Sequence, residues 1–234
     1  MDFEVTWGHL ELGELPPVLD LPSAGRTREE RQVIVDQVLA GLRDELPELE
    51  PLLVTLARFA WAVDSRIITG TTTRARGAVA GRRGVLAVSD GDRVTIRSVP
   101  EHVVVQEITA LAGTVAGSRA DSVSVRADAL DAVARNDSLS DGLVTVGERP
   151  VDARAVARIC AKAHTRGQFS VRRTGRDGRQ HTGDRVVGFH DTPTGRFLQL
   201  RRDGWVTFIP DTGTQLVAQV NQLLDELDPE RTRR

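Results

Sequence analysis

Gly84-Val-Leu-Ala-Val-Ser-Asp90 and Arg93-Val-Thr-Ile-Arg-Ser98, joined around Asp90-Gly91, are two short runs rich in β-branched residues meeting at a hairpin signal. Pro100 follows, and then Val104, Val105, Ile108, Leu111 and Ala112 recur with the spacing of one helical face, closed by Gly113. The same order returns later. Arg196 to Arg201 and Trp205 to Ile209 flank Asp203-Gly204, Pro210 follows, and Leu216, Val217, Val220, Leu223, Leu224 and Leu227 mark a last helix. Two hairpins, each followed by a proline and a helix, predict a duplicated α+β unit with an offset of about 110 to 118 residues.

The flanking segments extend the pattern. Phe3-Glu-Val-Thr-Trp7 alternates and predicts a first strand, with Leu10, Leu12 and Leu15 before the break at Pro16-Pro17. Thr27-Arg-Glu-Glu30 is a capping box, and Ile34, Val35, Val38, Leu39 and Leu42 behind it form one apolar helical stripe. Pro51 is suited to open a second helix through Leu52, Leu53, Leu56, Phe59, Ala60 and Val63. Ser65 to Thr73 completes a set of three antiparallel strands with the first hairpin. In the second half, Val123-Ser-Val125 stands for the first strand, followed by Leu130, Val133 and Ala134. Ala155, Val156, Ile159, Cys160 and Ala163 form a helix, and Gln168 to Thr174 and Arg185 to His190 are further strands. The halves, 1–117 and 118–234, are expected to contribute strands to one shared sheet, so that the chain folds as a single domain.

Composition removes several functions. The chain has 234 residues, a net charge of −2 and 40% hydrophobic residues, the profile of a globular protein with a real core. Lys162 is the single lysine, so no G-x-x-x-x-G-K phosphate loop exists. Cys160 is the single cysteine, which excludes an internal disulfide and any multi-cysteine zinc site. Met1-Asp-Phe-Glu-Val5 lacks the basic and apolar regions of a signal peptide, and Leu52 to Val63 is too short and too interrupted, by Thr55 and Arg58, to span a membrane. A cytoplasmic protein is expected.

No G-x-S-x-G, G-x-G-x-x-G or HExxH motif is present. His181, His190 and Asp191 could supply metal ligands, but His190-Asp-Thr-Pro-Thr-Gly195 reads as a turn between strands. Cys160 sits on an apolar stripe and reads as a small buried hydrophobe. No enzyme, metal or cofactor is expected.

Charge is sorted along the chain: residues 1–63 hold 12 acidic and 5 basic side chains, 64–99 hold 7 Arg and 3 Asp, and 167–206 hold 8 Arg and 4 Asp. Two Arg-rich segments, Arg74 to Arg83 and Arg172 to Arg179, read as flexible loops in equivalent places. Such loops can grip phosphates, which makes a nucleic-acid-binding module the alternative function. The negative net charge and the scarcity of aromatic stacking platforms count against it. A protein-binding loop suits the planar, multi-donor Arg head equally.

Arg166-Gly-Gln-Phe-Ser-Val171, Gly188-Phe-His-Asp-Thr-Pro-Thr-Gly-Arg-Phe197 and Gly204-Trp-Val-Thr-Phe-Ile-Pro210, with the leucine-rich helix behind them, resemble the EspG family of type VII (ESX) secretion chaperones of actinobacteria. Glu14-Leu-Pro-Pro-Val-Leu19 and Thr27-Arg-Glu-Glu-Arg31 are similar to that family's entry segment and first long helix. The resemblance implies a pseudo-twofold α+β fold, with a central twisted antiparallel sheet and two helical subdomains. It implies a cytosolic, non-enzymatic chaperone that covers the apolar tip of a PE/PPE-like heterodimer before secretion, itself a monomer or weak homodimer. Partner-binding residues are expected at Arg74, Arg76, Val79, Arg82 and Arg83, and at Arg196 in the second half. Neither nucleic acid nor membrane is an expected partner.

Overall fold

The computed structural model describes residues 3–19, 27–91, 93–118, 120–135 and 137–228. Met1 and Asp2, at the head of the segment read for a leader, lie outside them. The chain opens with helix α1 (Phe3–His9), where a strand was expected. Five alternating residues are too few to separate the two periods, and tertiary packing decides: Phe3 and Trp7 stack four residues apart, with ring centroids at 5.4 Å, and both are buried. The Trp7 indole N–H donates to the Gly13 carbonyl at 3.0 Å, which folds the following turn back onto the helix.

Helix α2 (Arg28–Leu42) starts at the predicted capping box, in which the Glu30 amide donates to the Thr27 hydroxyl and the Thr27 amide to the Glu30 carboxylate. Helix α3 (Leu46–Ala57) begins before Pro51, because Pro47 already occupies its first turn with a pre-set φ. Pro51 falls inside the helix and forfeits one ladder bond there.

Strands β1 (Trp61–Thr69), β2 (Thr71–Ala80), β3 (Arg83–Asp90) and β4 (Arg93–Pro100) follow, four where three were expected. A tight turn at Gly70, φ +70°, closes the extra hairpin. The segment Arg74 to Arg83 is therefore mostly strand, not loop. Its alternating composition sends Arg74, Arg76 and Ala78 to one face and Ala75, Gly77 and Val79 to the other. A 3₁₀ turn (Glu101–Val103) leads into helix α4 (Val104–Ala110).

The second half comprises β5 (Val123–Arg126), helices α5 (Ala127–Val133), α6 (Leu139–Thr145) and α7 (Pro150–Lys162), strands β6 (Thr165–Thr174), β7 (Gln180–Thr182), β8 (Val187–Thr192), β9 (Gly195–Arg202) and β10 (Trp205–Pro210), and helix α8 (Gln215–Glu226). Arg172 and Arg173 belong to β6, and only the remainder of the second Arg-rich segment is a turn, leading to β7. The two Arg-rich segments therefore occupy different places, one running along β2 and the other between β6 and β7.

The sheet order is β4-β3-β2-β1-β6-β8-β9-β10-β5, with β7 added to β6 and every strand pair antiparallel. β1 and β6 form the central seam, from which β2, β3 and β4 run outward on one side and β8, β9 and β10 on the other. Strand alternation assigns each face. One face carries Val63, Ala75, Leu86, Phe169 and Phe189, packed against α4 and α8 in a central core. The opposite face has two separate cores at its two ends. One joins Ala62, Ala78 and Val85 to Phe3, Trp7 and Leu53 of the N-terminal helices, and the other joins Phe197, Val206 and Phe208 to Val133, Leu143 and Val156 of α5, α6 and α7. Among the described residues, none covers the middle of the sheet between these two helical units.

Close approach of α4 depends on glycine. A Cβ on Gly77 would lie 2.7 Å from the Val104 side chain, and one on Gly84 would lie 2.6 Å from both Val104 and the Val99 carbonyl. Val104, fully buried, seats directly on these two backbones.

Candidate partner-docking surface

Three of the six residues expected to contact the partner, Arg76, Val79 and Arg196, are buried. Arg76 is 4% exposed and donates through Nε and Nη2 to the two carboxylate oxygens of Asp64, each at 2.7 Å. Its guanidinium also lies 5.4 Å from the centre of the Phe59 ring. Arg172 Nε reaches the same Asp64 carboxylate at 3.0 Å, so one buried acid on β1 ties β2 to β6 across the seam. Val79 belongs to the central core.

Arg196 is 6% exposed and forms a bidentate pair with Asp191, Nε–Oδ1 2.6 Å and Nη2–Oδ2 2.9 Å. Its Nη2 also donates to the Ala112 and Gly113 carbonyls at the end of α4, at 2.7 and 3.2 Å. These two arginines pin the fold together. Sequence alone shows the charge but not the buried acid waiting for it.

Arg82 and Arg83 are exposed at the β2–β3 turn. With Arg58 at the end of α3 they border a shallow depression of about 460 Å³ that includes Val54, Thr55 and Ala80. Arg83 Nη1 donates weakly to the Pro51 carbonyl at 3.4 Å, and neither Arg58 nor Arg82 has an ion-pair partner among the described residues. Arg74 is half-buried at the other end of β2, on the face that bears the two helical units.

On that face, next to Arg74, lies a groove of about 520 Å³ over the central strands. Its floor is Arg66 and Ile68 of β1, Arg166 and Gln168 of β6, His190 of β8 and Gln199 of β9, with Leu130 and Asp131 of α5 as a wall. Arg66 and Arg166 are exposed, and among the described residues neither has an ion-pair partner; Arg201, at the same groove, is paired with Asp131. The groove thus combines an apolar component with uncompensated positive charge. Sequence reasoning missed Arg66, although Arg166 and Gln168 stand inside the quoted Arg166 to Val171 motif. The available signal was alternation: every second residue of a central strand faces away from the core.

His190 is held by a hydrogen bond between Nε2 and Gln199 Oε1 at 2.8 Å, while its Nδ1 is buried without a partner among the described residues. Burial lowers its pKa from the ordinary imidazole value, opposed by the Gln199 bond, with Arg166 also lowering it and Asp191 raising it. Asp191, on the opposite side of β8, is committed to Arg196, and His181 lies on β7, so the three are not gathered into a ligand set. Among the described residues no group of three or more His, Cys, Asp or Glu side chains could hold a metal ion. Burial raises the pKa of the Cys160 thiol, and nearby Arg166 lowers it to a smaller extent. Among the described residues no helix is long and apolar enough to cross a membrane.

The whole arrangement has the fold of a secretion chaperone: the Mycobacterium tuberculosis type VII secretion system chaperone EspG5, solved in complex with a PE25–PPE41 dimer, superposes with a TM-score of 0.68, covering 98% of this chain and 96% of that one at 15% sequence identity. No curated protein sequence matches the chain. The family model described as the EspG family matches residues 1–222, and the chain belongs to that family.

Proposed function

We propose that this protein is a cytosolic, non-enzymatic chaperone of a type VII secretion system that binds a PE/PPE-like heterodimer and keeps it soluble until export. We further propose that it does so as one domain built from two pseudo-repeats, 1–117 and 118–234, and as a monomer or weak homodimer. The observation that carries the reading is the open, partly apolar, positively charged groove between the two helical units, in a chain of the EspG family with the fold of a chaperone solved on such a dimer.

An apolar patch that must be covered and later released calls for an interface with an apolar centre and a polar rim. Ile68 and Leu130 supply apolar surface, and Arg66, Arg74 and Arg166 supply charged donors around it. Arg82 and Arg83 form a separate patch at the opposite end of β2. The row containing Val79 lies seven residues along β1 from the row containing Ile68, about 23 Å at strand spacing. A partner touching both patches must lie lengthwise along the strands.

Co-purification with a co-expressed PE/PPE-like pair tests the function. In that complex, Arg66→Glu with Arg166→Glu should raise the Kd at least tenfold, about 1.4 kcal/mol, without moving the Tm, because both side chains are exposed. An unchanged Kd removes the groove from the interface. Arg82→Glu with Arg83→Glu tests the turn in the same assay.

A further inference from the structure

Helix α7 has a surface that neither the groove nor the β2–β3 turn uses. Arg154, Arg158 and Lys162 recur at every fourth residue, forming one ridge about 12 Å long. All three are exposed, and none has an ion-pair partner among the described residues. Like charges four apart weaken a helix slightly, so the ridge is not explained by the helix's own stability. The favourable field at a helix C-terminus accounts for Lys162 but not for Arg154.

Beside the ridge lies a second cavity, of about 560 Å³, between α7, the β8–β9 turn and the segment entering β5. Val123, Ile159 and Phe197 form its apolar wall, Thr194 offers a hydroxyl at the mouth, and Arg158 and Lys162 stand over it. Among the described residues that line it, the one carboxylate is Asp121. Among the described residues none is shared with the groove over the central strands.

We propose that this ridge and cavity are a second docking site, taken by an acidic amphipathic helical segment of a protein partner. Carboxylates spaced one turn apart match the α7 cations, and an apolar side chain from the same segment enters the cavity. Among the described residues the site has no exposed aromatic platform, since Phe197 is 4% exposed, which disfavours single-stranded nucleic acid. Its volume and apolar wall exceed what a bare anion uses. Because it is separate from the groove, this site is free to hold its partner while the groove is occupied or empty, and it does not depend on the identity of the groove's ligand.

Fluorescence anisotropy of the full chain tests this with three labelled probes: a helical peptide of repeated Glu-Ala-Leu-Glu units, a polyglutamate peptide of equal charge, and a single-stranded DNA oligonucleotide. The Glu/Leu peptide should bind, at least tenfold more tightly than the other two. Arg158→Glu with Lys162→Glu should weaken it at least tenfold, whereas Arg66→Glu should leave it unchanged. Thr194→Trp, which plugs the cavity mouth without altering charge, should also weaken it and covers the case of a double variant that folds poorly. Absence of binding, equal affinity for polyglutamate or DNA, or indifference to both the charge and the plug variants overturns the proposal.

Discussion

Replacing Arg196 with methionine separates a structural role from a contact role. The substitution keeps the apolar length of the side chain but removes both bonds to Asp191, at 2.6 and 2.9 Å, and both bonds to the Ala112 and Gly113 carbonyls just past α4, at 2.7 and 3.2 Å. Asp191 is 1% exposed, so its carboxylate is left charged and buried without its cation. Breaking such a pair costs about 3–5 kcal/mol, and the freed Ala112 and Gly113 carbonyls place the expectation near the upper end, about 4–5 kcal/mol. At about 2–4 °C per kcal/mol for a chain of this size, the Tm should fall by about 8–20 °C. Circular dichroism melts and urea titrations of Arg196→Met, Asp191→Asn and the double variant provide the measurement. The double variant should recover more than half of the loss, because removing both charges leaves no orphaned ion. A single variant within about 1 kcal/mol of the parent would refute the reasoning. So would a double variant as unstable as Arg196→Met, which would assign the loss to packing rather than charge.

Gly84→Ala places a methyl 2.6 Å from the Val99 carbonyl and from Val104, and should cost about 1–3 kcal/mol in urea unfolding; Gly91→Ala, with nothing within 4 Å, reports only the strain of its +62° φ. His190 is a base whose folded pKa is lowered, so unfolding takes up a proton below the ordinary imidazole value of about 6.5. Its stability contribution is present above that pH and is lost as the pH falls toward the folded pKa. His190→Gln should therefore flatten the fall in stability that begins as the pH drops below about 6.5, and parallel profiles would contradict this. The raised pKa of Cys160 predicts slow reaction with an aromatic disulfide reagent at neutral pH, accelerating in urea; a rate equal to that of free cysteine would exclude it.

How much was legible depends on how locally each element is specified. The capping box at Thr27 and the two hairpins at Asp90-Gly91 and Asp203-Gly204 were readable because cap and turn chemistry act over three or four residues. The Phe3–His9 helix and the Thr71–Ala80 strand were misread for the opposite reason. Five alternating residues at the N-terminus fit either period, and the Gly-rich, Arg-rich composition of β2 looks like a loop until it is paired on both sides. The small residues Ala75, Gly77 and Ala78 are there for close packing rather than flexibility. The candidate site was less legible still. Arg76 and Arg196 carry the charge expected of a surface, yet each lies against a buried aspartate, while Arg66 and Arg166 face the groove.

The sequence by itself determined the class of the fold, the order of most elements, the family likeness in its second half, and the absence of several catalytic motifs, because these rest on local periodicity, turn chemistry and residue identity. Only the tertiary structure decided which arginines face solvent. Exposure depends on the strand neighbour and on the helix packed above: Asp64 meets Arg76 across one strand pair and Arg172 across the next, more than a hundred residues later in the chain. The open groove is likewise a product of assembly, arising where the two helical units stop short of one another over a sheet that both halves build.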